Sequence, residues 1–283
     1  MVFTYGSLPV LLTIAGSDSG GGAGIQADLK TFSALGAYGT SAITAITAQN
    51  PEAVTDIQAI EPDVVAAQIA ALGDYFEIGA AKTGMLFSTG VIEAVADAYP
   101  SLRASPQRPG GAGAPPLVVD PVMVAASGAK LLSDDAIGAL EKKILPLATL
   151  ITPNMDEAAI LADRKVKLAR DLEPAARAIY DRFGVPVLVK GGHLTGVKKV
   201  VDLFFDGNDV QAFRDLYMSG INTHGSGCTL SAAIAVYLMR GYPMLDAVAE
   251  GRVYLRQTLS NGLPVGRAVV LNHQFAPVPL EMT

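Results

Sequence analysis

The only cysteine of the chain follows Thr223-His224-Gly225-Ser226-Gly227 and precedes the small-residue run Thr229-Leu230-Ser231-Ala232-Ala233. A glycine-punctuated turn running into helix-forming residues lets backbone approach a ligand closely and aims the free N–H groups of a new helix at it. That terminus also carries the positive end of the helix dipole, so Gly225, Ser226 and Gly227 form an anion-binding cup with Cys228 in its first turn. A thiol in that place is expected to have a lowered pKa and to be ready to accept a proton. Read structurally, the same residues are a helix start beside a small buried hydrophobe.

Other polar and glycine-rich groups recur along the chain, each behind a short apolar run. They are Gly16-Ser17-Asp18, Gln49-Asn50, Lys82-Thr83-Gly84, Asp120-Pro121, Thr152-Pro153-Asn154 and Lys190-Gly191-Gly192. The runs before them (10–15, 39–47, 77–83, 117–120, 147–152 and 185–190) have the short, β-branched character of strands buried on both faces. Helical patterns fall between: 25–35, 62–73, 89–99, 134–144, 155–161, 171–183, 226–240 and 244–259. A further strand is expected over 54–60, and a hairpin from 200–205 to 211–216 across Asp206-Gly207-Asn208-Asp209. Alternation of this kind predicts an α/β fold with a mostly parallel sheet covered on both faces, and ligands in such a sheet bind beyond the carboxyl ends of its strands. One domain over 1–283 is expected, with an N-terminal tail (1–9), a Pro- and Gly-rich flexible insertion (100–116) and a C-terminal tail (262–283).

Composition excludes several classes. The 283 residues are 50% hydrophobic with a net charge of −6 and no basic block, which argues against nucleic acid as partner. No apolar run reaches the roughly 18 residues of a membrane span, and no signal peptide is visible. One cysteine fits a reducing cytoplasm, and three dispersed histidines do not make a zinc site. Gly22-Ala23-Gly24-Ile25-Gln26-Ala27 matches a dinucleotide fingerprint but lacks its acidic residue some 20 positions on. A Gly-Lys-Ser/Thr P-loop and the Gly-x-Ser-x-Gly hydrolase signature are both absent.

Taken together, the segments 15–31 (Ala15-Gly16-Ser17-Asp18 and the glycine run to Gln26-Ala27-Asp28-Leu29-Lys30-Thr31), 44–50, 82–86, 120–123, 152–158, 189–193 and 223–231 resemble the hydroxymethylpyrimidine/phosphomethylpyrimidine kinases of the ribokinase superfamily. They run in family order from about residue 10 to 260. The tail before Leu271-Asn272-His273 lacks the usual Gly-His-Gly-Pro, and the loop at 100–116 is longer than usual. The resemblance implies a ribokinase-like three-layer α/β/α fold with no large separate lid domain. It implies ATP- and Mg²⁺-dependent phosphorylation of 4-amino-5-hydroxymethyl-2-methylpyrimidine and of its monophosphate. Cys228 would be the base and Gly225–Gly227 the cup; Gly16, Asp28, Gln49, Met85 and Val122 would hold the pyrimidine. Asn154, Lys190 and Thr223 would meet the nucleotide, and Glu157 with Asp120 would serve the metal, Asn154 and Glu157 standing at i and i+3 on one helical face. His224 is expected to shape the loop rather than take part in the chemistry. The assembly expected is a homodimer. Two alternatives stay open: a pyridoxal or pyridoxine kinase of the same superfamily, and a non-catalytic vitamer-binding protein.

Overall fold

The structure is a computed structural model and describes residues 8–104, 113–124, 131–192, 199–218 and 222–276. The first residues of the N-terminal tail, the middle of the 100–116 insertion, His193, and the end of the C-terminal tail lie outside the described residues. Among those described, nine strands form one sheet in the order β3-β2-β1-β4-β5-β6-β7-β8-β9. β1 (Val10–Asp18), β2 (Tyr38–Gln49), β4 (Ile78–Thr83), β5 (Leu117–Val119), β6 (Leu150–Ile151) and β7 (Val187–Val189) run parallel. The edges are antiparallel: β3 (Val54–Ala59) on β2, and the hairpin β8 (Lys199–Phe205) and β9 (Val210–Leu216) on β7.

Side-chain alternation explains the apolar runs. Leu12, Ile14, Leu117, Val119, Val187 and Val189 enter the core under one helical layer, while Leu11, Val118 and Leu188 enter the other. A strand covered on both faces must be apolar at every position. The first layer holds α2 (Pro62–Tyr75), α3 (Thr89–Ala98), α4 (Asp134–Ala139), α5 (Met155–Leu161) and α6 (Leu172–Phe183). The second holds α1 (Gly24–Ala34), α7 (Ser226–Met239) and α8 (Met244–Ser260). Helices α7 and α8 meet closely at Gly251, where a Cβ would stand 2.7 Å from Ile234 Cγ1. This is the expected three-layer α/β/α architecture, and the described residues contain no separate lid domain.

Three sequence expectations change. The helix expected over 134–144 is α-helical only to Ala139 and continues as a π turn over Leu140–Ile144. The insertion is tied at its described ends, where Tyr99 donates its hydroxyl to the Pro115 carbonyl and the Ala104 amide reaches the Gly113 carbonyl at 3.3 Å. The C-terminal segment is no loose tail in its described part. It forms a hairpin (β10, Leu263–Val265, with β11, Ala268–Val270), then buries Leu271 and His273. His273 Nε2 lies 2.9 Å from the Thr229 hydroxyl, in the first turn of α7. Burial pushes the His273 imidazole down to about 4, so the contact is one between neutral groups.

Candidate active site

Every parallel strand delivers its carboxyl end to the same edge of the sheet, and a cavity of about 340 Å³ opens there. That volume suits a small organic ligand. One end of the cavity is framed by Gly16, Gln49 and Met85, the middle by Asp120 and Cys228, and the far end by Leu216, Leu255 and Leu259.

Gly225, Ser226, Gly227 and Cys228 come together at the start of α7 on the cavity wall. Gly225 caps α7 at φ +84° with no side-chain cap; the Ser226 amide turns back to the Thr223 carbonyl, while Gly225, Gly227 and Cys228 line the cavity at the start of the 14-residue helix. Only glycine is tolerated there: a Cβ would fall 1.8 Å from the Gly22 carbonyl oxygen, because the glycine loop after β1 lies directly on the cup. Asp18, which the site assignment passed over, organises that loop. Its carboxylate accepts the amides of Gly20, Gly22 and Ala23 at 2.8, 3.1 and 2.8 Å. Burial would raise the Asp18 carboxyl, but its hydrogen bond to His224 and those amides outweigh burial and hold it below the usual carboxylate range. His224 Nε2 stands 2.9 Å from Asp18 and 3.3 Å from the Gln49 amide nitrogen. His224 thus joins the cup to the expected pyrimidine end, the loop-shaping part the sequence assigned it.

Gly16 and Met85 touch, since a Cβ at Gly16 would meet Met85 Cε at 2.6 Å. Val122 lines the cavity with φ +36°, a conformation a β-branched residue adopts only under constraint and which concentrates at ligand sites.

Asp28 departs from its expectation. It is completely buried under the cavity, does not line it, and is paired with Lys82 at 3.1 Å. Both carboxylate oxygens are engaged by Lys82 Nζ, and Oδ2 also accepts the Thr13 hydroxyl, so the carboxylate serves the interior and presents no face to the cavity. Cys228 departs too. The thiol lines the cavity, but desolvation pushes it up to about 11, against the pull of Lys82 and of a Gly24 amide hydrogen bond. The position at a helix start does not by itself ionise it.

In the middle of the cavity Lys190 Nζ pairs with Asp120 Oδ1 at 2.7 Å, and a Cβ on Gly227 would be 3.2 Å from Asp120 Oδ2. Burial would lower the Lys190 ammonium, but Asp120 and Glu157 raise it and keep it charged. Asn154 and Glu157 form a capping box: Asn154 Oδ1 accepts the Asp156 and Glu157 amides, and Glu157 Oε2 accepts the Asn154 amide at 2.8 Å. Burial first, and Asp120 after it, drive Glu157 up to about 7. Two carboxylates that both act on a single lysine are a donor set that a hard cation relieves. Mg²⁺ is commonly held by one or two carboxylates with water and substrate phosphates, so Asp120 and Glu157 fit it. No group of three or more His, Cys, Asp or Glu side chains able to hold a metal occurs among the described residues. Thr223 also lines the cavity, its carbonyl accepting the Ser226 amide.

The sequence assignment missed Asp18 and Lys82, although both lie inside quoted motifs. It also missed Asp202 and Arg252, paired at 2.8 Å, which tie the β8–β9 hairpin to α8 along the far wall. No described helix is long and apolar enough to cross a membrane.

Comparison with known proteins agrees with this geometry. The phosphomethylpyrimidine kinase family model matches residues 18–273. A hydroxymethylpyrimidine/phosphomethylpyrimidine kinase of Rhizobium meliloti is 45% identical, over 94% of this chain and 97% of its own. Among solved structures, the pyridoxal kinase from Staphylococcus aureus in complex with AMP-PCP and pyridoxal superposes with a TM-score of 0.83 at 32% identity, covering 96% of this chain and 95% of that one. A phosphomethylpyrimidine kinase from Clostridium difficile 630 gives 0.73 at 38% identity, covering 88% and 98%. A strand-end cavity, an open helix start carrying a cysteine, and a family match spanning nearly all of the sheet lead to one assignment: the chain belongs to the phosphomethylpyrimidine kinase family.

Proposed function

We propose that the chain transfers the γ-phosphoryl group of ATP to the hydroxymethyl oxygen of 4-amino-5-hydroxymethyl-2-methylpyrimidine, and then a second phosphoryl group to the monophosphate, in thiamine biosynthesis. The observation that carries this reading is the uncapped start of α7 with Cys228 in its first turn, facing Gln49 across one continuous cavity. Gln49 offers a donor and an acceptor to a ring nitrogen and an exocyclic amine, and Gly16, Met85 and Val122 line the ring's sides. The apolar slot between β9 and α8 (Leu216, Leu255, Leu259) takes the adenine, and Lys190, Asn154 and Thr223 face its phosphates.

In the first transfer the hydroxymethyl oxygen attacks the γ-phosphorus while the bond to ADP breaks and ADP leaves with the electron pair. Once the Cys228 thiol has released its own proton to solvent, the hydroxyl proton goes to its sulfur, and the Gly225, Gly227 and Cys228 amides meet the charge on the phosphoryl oxygens. Asp120 and Glu157 would hold Mg²⁺, largely through water, and bound Mg²⁺ supplies neutralisation of phosphate charge. Asp28 has no place among the substrate contacts. We read 1–283 as one domain acting in the cytoplasm as a homodimer, which light scattering of the purified chain checks.

Steady-state kinetics on the aminopyrimidine and on pyridoxal, each with ATP and Mg²⁺, test the assignment. A kcat/KM favouring the aminopyrimidine is expected. A value favouring pyridoxal overturns it, and that second reading is favoured specifically by the match to the S. aureus pyridoxal kinase. Binding of either compound without ATP turnover would reduce the chain to a vitamer-binding protein.

A further inference from the structure

A buried ion pair that the reaction above does not use lies beneath the thiol. Lys82 and Asp28 are both 0% exposed, with Lys82 Nζ 3.2 and 3.1 Å from the two carboxylate oxygens. Three contacts fix where the pair sits. Gly24 and Asp28 stand one turn apart on the same face of α1, and the Gly24 backbone faces the Cys228 sulfur and favours its thiolate. Lys82 Nζ lies so close beneath Gly84 that a Cβ there would be 3.1 Å from it. Gly24, Gly84 and Cys228 all line the cavity, whereas Lys82 and Asp28 do not. The pair therefore lies under the cavity floor that carries the thiol and not in the cavity itself.

An apolar pair of similar volume would hold α1 on β4 without the desolvation cost of two buried charges. What an apolar pair cannot supply is a field at Cys228, and in a dry interior a fixed charge acts strongly over a few ångströms. We propose that Lys82, held in place by Asp28, is a positioning residue that sets how readily Cys228 gives up its proton, Lys82 favouring the thiolate and Asp28 restraining it. The proposal deepens the reading of Cys228 as proton acceptor and rests on it. Burial is the main influence keeping the thiol protonated, and among the charges that face it Lys82 is the strongest opposing one. The others are Asp120 at the end of β5, which also disfavours the thiolate, and Lys190 at the end of β7, which favours it. The Lys82 ammonium is itself secure: burial would remove its proton, but Asp28, Cys228 and Asp120 keep it on.

Because the chain has one cysteine, its alkylation by iodoacetamide reports Cys228 alone and needs no turnover. At pH 9, Lys82→Met is expected to slow alkylation by about tenfold or more, the scale of losing an opposite charge a few ångströms away. Asp28→Asn frees the ammonium to pair with the thiolate and is expected to speed alkylation by a similar factor. The Lys82→Met/Asp28→Asn double variant is expected to fall between the two. Single variants that move the rate the same way, or both by less than about twofold, overturn the proposal. Near-UV circular dichroism checks the fold. If Lys82→Met does not fold, Asp28→Asn decides alone, with an unchanged or slower rate overturning the proposal. Normal turnover by Cys228→Ser would instead remove the base assignment, and the alkylation rates distinguish that failure from this one.

Discussion

Helices α5 and α7 start at the same cavity and treat their first amides in opposite ways. Asn154 and Glu157 close the start of α5 with a reciprocal capping box, so its first N–H groups are occupied by its own side chains. Gly225 leaves α7 without a side-chain cap and turns its backbone to φ +84° to do so. A helix that satisfies its own amides is a rigid mount for a carboxylate. One that leaves them open is a receptor for an anion. In the proposed mechanism the same element of structure serves both charges of a phosphoryl-transfer site, and the choice is made by the two or three residues at the cap.

Changes at the open cap are expected to cost the most. Cys228→Ser should lower kcat for the first phosphorylation by about 10²–10⁴-fold with little change in KM. The second step begins from a phosphate oxygen that is already deprotonated at neutral pH, since its second pKa is about 6, so it should suffer far less. Separate assays of the two steps check this, and equal losses in both would remove proton acceptance as the role of Cys228. Next, Gly225→Ala forces a Cβ against the Gly22 carbonyl. A displacement of about 1 Å at a catalytic group can cost about 10²-fold, and that loss in kcat/KM with a retained circular dichroism spectrum is the expected result.

At the closed cap the effects move from rate to stability. Asn154→Ala should lower the unfolding free energy by about 1 kcal/mol in urea titration, as loss of a cap does. An unchanged midpoint would mean that the box contributes nothing to α5. A further effect concerns pH. Burial and Asp120 raise Glu157 to about 7 in the fold against 4.5 ordinarily, so the folded chain holds a proton that the unfolded chain has released between those values. Its stability contribution is present below pH 4.5 and lost as pH rises through 7. Glu157→Gln should flatten that dependence and shift the Mg²⁺ titration of activity to higher concentration. Parallel pH curves for wild type and variant would sink the assignment of the shift, and an unmoved Mg²⁺ curve would remove Glu157 from the metal.

Strands were legible because the sheet is covered on both sides: Leu117-Val118-Val119 can be nothing else when consecutive residues enter opposite cores. The cup was legible for a related reason, since Gly225 and Gly227 sit where backbone must touch backbone or side chain. Asp28 was misplaced because sequence shows that an acid stands in a motif but not that Lys82, 54 positions on, will neutralise it in the core. Asp18 was passed over because its partners are three amides and a histidine 206 residues away. The thiol was expected to ionise from its helix position alone; burial outweighs that position, and burial is invisible until α1, β4 and α7 are assembled. The hairpin after α8 was read as tail because its exposed strands carry no buried face to show a period.

The order of the sheet also bears on how the enzyme is made. All nine strands of the sheet are complete by Leu216, yet α7 then returns to pack on α1, β1, β4 and β5 from the first half of the chain. A nascent chain emerging from the ribosome therefore presents an uncovered apolar face over β4 and β5, and access for water to Lys82 and Asp28, until residues 226–239 arrive. Capture of the last helices both shields that surface and brings the start of α7 to the strand ends, so covering the sheet and assembling the site are one event.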